Sequence, residues 1–240
     1  MHFFLSGGDG PTYFNTLYIL DTETLKWERP IVTGTSPGSR RAHTTWLYKN
    51  NIYIYAGGDG VKALDDIYIL TTEPNSMSWA KYTTTGKSPS PRGYHTSNII
   101  GSKVIVFGGS DGHECFSDIH ILDLETKQWS AIEVDRPISR LSHTATQVGS
   151  YLFIIGGHDG AKYSSEILLL NLVTMSWETR RVYGTPPSGR GYHTAVLHDS
   201  RIFLYGGYDG QDVFDDLWIL DLSACAYLPQ ITDFEIGAGL

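Results

Sequence analysis

Five times along this chain a short apolar run stops at two glycines. The pairs are Gly7-Gly8, Gly57-Gly58, Gly108-Gly109, Gly156-Gly157 and Gly206-Gly207, and their first members lie 50, 51, 48 and 50 residues apart. An Asp-Gly follows each pair at once or one residue later. One repeat of this size cannot bury a hydrophobic face alone. Copies near 50 residues, each holding four short strands, are the units that stack into propellers. The period therefore predicts one all-β domain, although 240 residues have room for two.

The third copy shows the layout most fully. Arg92-Gly93-Tyr94-His95-Thr96 opens a first strand that runs to Ile100, Gly101-Ser102 turns it, and Val104 to Phe107 form the second strand. Past the glycines and Asp111-Gly112, Ile119 to Leu122 form the third strand and Trp129 begins the fourth. The corresponding first strands open with Arg40, Arg140 and Arg190, and each arginine is followed three residues later by His43, His143 or His193. Turns between first and second strands are expected at Asn50-Asn51, Gly149-Ser150 and Asp199-Ser200, whose residue types accept positive φ. Trp27, Trp79 and Trp177 match Trp129, with Tyr227 in the fifth slot. Runs such as Phe153-Ile154-Ile155 lack alternation, which marks strands buried on both faces. Paired glycines there open backbone angles closed to other residues and let the next blade approach.

Net charge is −8 with both signs interspersed, which argues against nucleic acid or an anionic membrane as the main partner. Cys115 and Cys225 are too few for a disulfide framework or a cysteine zinc site. No apolar stretch approaches membrane-spanning length, so the expected setting is cytoplasmic.

Gly-Gly after a four-residue apolar strand, with Trp about 20 residues on, resembles the kelch repeat, and the match runs to about Tyr227. The Arg-x-x-His-Thr opening is similar to that of leucine-zipper-like regulators, Rab effectors and cell-polarity kelch proteins. It is less like the form typical of ubiquitin-ligase receptors. The resemblance implies four antiparallel strands per blade, the first lining a central channel and the fourth outermost. Five second strands but four first strands are present. The chain is thus expected to form part of a six- or seven-blade ring, the family norm. In the other reading, a strand near residues 230–236 closes a five-blade ring. The expected division is a propeller over residues 1–228, with repeats near 1–35, 36–87, 88–135, 136–186 and 187–228, then a tail or closing strand over 229–240.

Positions repeated in every blade read first as structure. Asp66, Asp118, Glu166 and Asp216 stand ahead of the third strands as natural partners for the arginines, since a buried charge must be paired. The resemblance implies that Arg40, Arg92, Arg140 and Arg190 can also face a ligand, which would favour an acidic one. The loops between second and third strands gather on one face. They carry Tyr13, Phe14, His113, Phe116, His158, Tyr163, Tyr208 and Phe214, side chains that the repeat does not require. Aromatics and arginine are common anchors of protein interfaces. These residues and the four arginines form the candidate site for a protein or peptide.

No catalytic residue, metal ligand or cofactor is assigned. The iron-binding run of kelch specifier proteins has Glu114 and Asp118 here but Leu122 in place of histidine. The function expected is a non-catalytic interaction module or adaptor. The alternatives are a metal-dependent propeller enzyme or a ubiquitin-ligase substrate receptor. Association through open blade edges is expected as well.

Overall fold

The computed structural model describes residues 2–5, 7–9, 11–73, 76–223 and 234–237. Among them the regular elements are strands and no α-helix occurs. Blade 2 comprises Thr44–Tyr48, Asn51–Gly58, Ala63–Thr71 and Ser78–Tyr82, each antiparallel to the next. Blade 3 repeats this with Thr96–Ile100, Lys103–Phe107, Ile119–Asp123 and Gln128–Ile132. In blade 4 the strands are Thr144–Val148, Tyr151–Ile155, Ile167–Asn171 and Ser176–Glu178. Blade 1 contributes His2–Leu5, Leu17–Leu20 and Trp27–Glu28, and blade 5 contributes Thr194–His198, Arg201–Tyr208 and Val213–Asp221. Tyr227 and Cys225 lie outside the described residues. Among the described residues the arrangement is a kelch-type propeller in which blades 1 and 5 have three strands each. First strands of blades 2 to 5 adjoin one another in order.

The segment leaving one blade straps the next. Thr33–Gly34 pairs in parallel with Ser78 and Trp79 of blade 2, and Thr85–Gly86 with Gln128 and Trp129 of blade 3. Apolar side chains then fill each seam. Ile105, Phe107, Ile119 and Ile121 of blade 3 meet Leu152, Ile154, Leu168 and Leu170 of blade 4. Three of the tryptophans take the place expected of them: Trp79, Trp129 and Trp177 are 5%, 3% and 7% exposed, each in the seam toward the preceding blade, whereas Trp27 of blade 1 is 57% exposed.

Three local expectations change. First strands begin at Thr44, Thr96, Thr144 and Thr194, not at the arginines. Ala42, Tyr94, Ser142 and Tyr192 have φ of 53–59°, and that left-handed step breaks the strand just before the histidine. In blade 2, Tyr48 pairs with Asn51, so the turn is Lys49-Asn50. The glycine pair of that blade is also out of step. Tyr55 pairs with Thr44 as Phe107 pairs with Thr96, so Ala56-Gly57 is the counterpart of Gly108-Gly109. Ala56 has φ 59° and Gly108 φ 66°, both within reach of an L-residue, whereas Gly57 and Gly109 have φ 93° and 95°.

Most of the stretch expected as a tail or closing strand, 229–240, lies outside the described residues, which here are 234–237. Phe234 and Ile236 pack on the blade 3–blade 4 cluster, and residues 234–237 carry no strand.

Candidate functional site

The repeated charges hold each blade together from within. Arg40 donates to Asp66 at 2.6 Å, and Arg92 grips Asp118 with both terminal nitrogens, at 2.7 and 2.9 Å. Arg140 pairs with Glu166 and Arg190 with Asp216. Three of the arginines repeat two further bonds. Nη1 of Arg40, Arg92 and Arg190 donates to the carbonyls of Ala56, Gly108 and Gly206. Their Nε atoms donate to the carbonyls of Gly38, Ser90 and Ser188. Arg140 departs from this pattern, its Nε buried without a partner. The arginines are 0–3% exposed. All four of the acids expected as partners are the partners found. The arginines themselves are therefore out of a ligand's reach, and the reading of them as guanidinium anchors is corrected. The low-dielectric loop ends demand a paired charge there.

Histidines do the same between blades. His95 Nε2 shares a hydrogen bond with Thr44 Oγ1 at 2.8 Å, His143 with Thr96 at 2.9 Å, and His193 with Thr144 at 3.1 Å. Nδ1 of His43, His95, His143 and His193 is buried without a partner. Burial, then the neighbouring arginine, pushes these imidazoles down: to about 4 for His43 and His193, and about 3 for His95 and His143. They are neutral at pH 7. At Asp118, burial works against ionisation, but hydrogen bonds from His120 and Arg92 outweigh it and hold the carboxyl below its usual range.

Asp-Gly shapes the loop face. Asp59 Oδ1 accepts the amides of Val61 and Lys62, and Asp111, Asp159 and Asp209 each accept the amides two and three residues on. Four loops are thus held alike while their side chains differ. The expected contact residues divide by what they touch. Tyr13 leans on the loop of the next blade, where a Cβ on Gly60 would come 3.0 Å from its ring, and Tyr163 lies edge-on to Tyr208 at 6.1 Å. Phe116 and Phe214 cover the guanidiniums of Arg92 and Arg190 at 4.4 and 3.8 Å. His158 is edge-on to Tyr163 at 4.8 Å. Phe14 and His113 are exposed, and Tyr208 and His158 are half-buried.

Sequence reading missed a set of residues between each arginine and histidine. Ala42, Tyr94, Ser142 and Tyr192 form a backbone ladder across the blades: Tyr94 N donates to Ala42 O, Ser142 N to Tyr94 O and Tyr192 N to Ser142 O, at 2.8–3.0 Å. Tyr94 and Tyr192 meet edge to face at 5.7 Å. Arg41 is exposed and lies over Tyr13 at 5.0 Å. Together with Lys62 and Asp111, Arg41, Tyr13 and Tyr94 line a cleft on the loop face. The available signal was variability inside an otherwise fixed Arg-x-x-His. Among the described residues no group of three or more His, Cys, Asp or Glu side chains is placed to hold a metal ion.

A family model described as the KLHDC2/KLHL20/DRC7 Kelch-repeats domain matches residues 1–137 and 132–233. The chain belongs to the kelch-repeat family. Similar curated proteins include the host cell factor of Drosophila melanogaster, 36% identical over 149 residues, which are 52% of this chain and 10% of that protein. Host cell factor 2 of Homo sapiens is 31% identical over 154 residues, 54% of this chain and 19% of the relative. The Rab9 effector protein with kelch motifs of Rattus norvegicus is 32% identical over 115 residues, 47% of this chain and 31% of the relative. The last agrees with the Rab-effector likeness of the Arg-x-x-His-Thr opening. This kelch chain matches less than a third of the length of each of these relatives.

Proposed function

We propose that this kelch propeller is a non-catalytic protein-interaction module that takes a peptide or protein surface on its loop face. The observation that carries the reading is a division of labour. The blade-repeated arginines are buried and paired with acids, while copy-specific side chains stand outward on loops of one fixed shape. Phe14 is 41% exposed and Tyr192 52%, beside His113, His158 and Tyr208. Aromatic groups on a rigid platform are what protein interfaces use as anchors. With Arg40, Arg92, Arg140 and Arg190 buried, the preference for an acidic segment now rests on Arg41 and Lys62. The module acts as one domain over residues 1–228 in a cytoplasmic setting, and one relative's name describes an effector, a role consistent with protein binding.

The test compares proteins captured from lysate by the wild-type chain and by a Phe14→Ala/His113→Ala/Tyr208→Ala variant, followed by affinity measurement on the captured protein. Loss of about 2 kcal/mol or more is expected if the face holds the partner. Equal affinity in the folded variant removes the loop face from the site.

A further inference from the structure

On the side of the propeller away from the loops, residues 234–237 lie against the seam between blades 3 and 4. Phe234 and Ile236 are half-buried on the cluster that contains Ile105, Leu172, Met175 and Trp177, while Glu235 between them is exposed. Gly237 N donates to Leu172 O at 3.0 Å, and Gly237 has φ 70°, where glycine is favoured. Leu172 belongs to the turn joining the third and fourth strands of blade 4. The contact is thus at the turn end of the seam.

Comparison with the neighbouring seam shows that this end is differently made. Between blades 2 and 3 it is polar: Tyr48 Oη donates to Glu125 at 3.1 Å and Lys49 Nζ lies 3.2 Å from the same carboxylate. Strand register puts Ile100 and Gly101 at the places of Tyr48 and Lys49, and Val173 at the place of Glu125. The next position differs too. Leu25, Lys127 and Met175 occupy the same left-handed place in three equivalent turns, with φ of 56°, 60° and 51°. Leu25 is 73% exposed and Lys127 is exposed, but Met175 is 1% exposed. Blade geometry leaves this position in solvent. It is buried in blade 4, where residues 234–237 lie and where the surrounding substitutions are apolar.

We propose that the turn end of the blade 3–blade 4 seam is a docking groove for short peptides with an aromatic and an aliphatic residue two apart, followed by glycine. The segment Phe234-Glu235-Ile236-Gly237 is its resident, displaceable occupant. Two half-buried side chains and one backbone bond hold that segment, a contact another protein's segment of the same pattern can reproduce. Tethering gives the resident an effective concentration on the order of millimolar, so an outside peptide competes poorly until the resident is weakened.

A fluorescent peptide Thr-Asp-Phe-Glu-Ile-Gly-Ala is titrated by anisotropy into the full 240-residue chain and a Phe234→Ala/Ile236→Ala variant. The variant is expected to bind at least about tenfold more tightly than wild type. Adding Met175→Lys, which copies Lys127, or Val173→Glu, which copies Glu125, is expected to abolish the gain without loss of fold. Equal affinity for wild type and the double variant, including no binding to either, overturns the proposal. So does binding that survives both Met175→Lys and Val173→Glu.

Discussion

Neutral imidazoles make this propeller sensitive to acid. His43, His95, His143 and His193 are lowered from 6.5 to about 3–4 by burial first, and each has an Nδ1 with no acceptor for a second proton. The unfolded chain therefore binds protons that the folded chain refuses. Stability is complete above about pH 6.5 and falls as the pH is lowered toward 4. Urea midpoints measured from pH 7.5 to 4.5 should hold down to about pH 6.5 and then decline, and His95→Gln should flatten the slope. An unchanged midpoint would contradict the neutral, buried assignment. The arginine pairs make a second prediction. Asp66→Asn leaves the Arg40 guanidinium, 1% exposed, without its counter-charge. A cost of about 2–3 kcal/mol is expected in equilibrium unfolding, below the full figure for a broken buried pair because Asn still accepts a hydrogen bond. Pairing of arginine with the acid before the third strand could be read from spacing alone, because both recur once per blade. Which side of the blade the pair faced could not, since that depends on the carbonyls of Ala56, Gly108 and Gly206 closing around it.

At the scale of the strand pair, the glycines divide by what surrounds them. A Cβ on Gly109 would lie 2.6 Å from Gly93 O and 2.8 Å from His95 Cβ, at φ 95°. Gly101 has φ 60° and open space around it. Gly109→Ala is thus expected to cost about 3 kcal/mol, because backbone must shift, and Gly101→Ala about 1 kcal/mol, from φ alone. Thermal melts of the two variants check the order; reversal would mean that conformation, not contact, keeps the glycine. The paired glycines are plain in the sequence, but their one-residue slip in blade 2 is not. Ala56 holds the first place, and only the register of Tyr55 with Thr44 shows it. The same limit applied to the loop aromatics. Tyr13 and Tyr163 looked free because nothing in one repeat requires them, yet each rests on the blade that follows.

Taken whole, the stack of sheets has an apolar side that no described blade covers. Ile202 and Leu204 of blade 5 are 0% and 5% exposed against blade 4, whereas Val196, Tyr205, Leu217 and Ile219 are 51–59% exposed on the other face. A patch of that kind on a sheet face favours association. The 240-residue chain is expected to self-associate at low micromolar concentration, and Leu217→Lys/Ile219→Lys to shift it toward monomer in sedimentation. A sharp wild-type monomer would show that the face is satisfied some other way.

Periodicity alone determined the blade, its four strands and the acids that pair with the arginines, because each of those recurs wherever the chain must repeat one packing problem. Tertiary structure alone decided which side chains were left over for recognition. Exposure of an aromatic or a guanidinium is a property of the neighbouring blade as much as of its own. For the same reason the docking of Phe234 and Ile236 could not be read beforehand: it depends on Ile100 and Met175 meeting across a seam that sequence order keeps more than 70 residues apart.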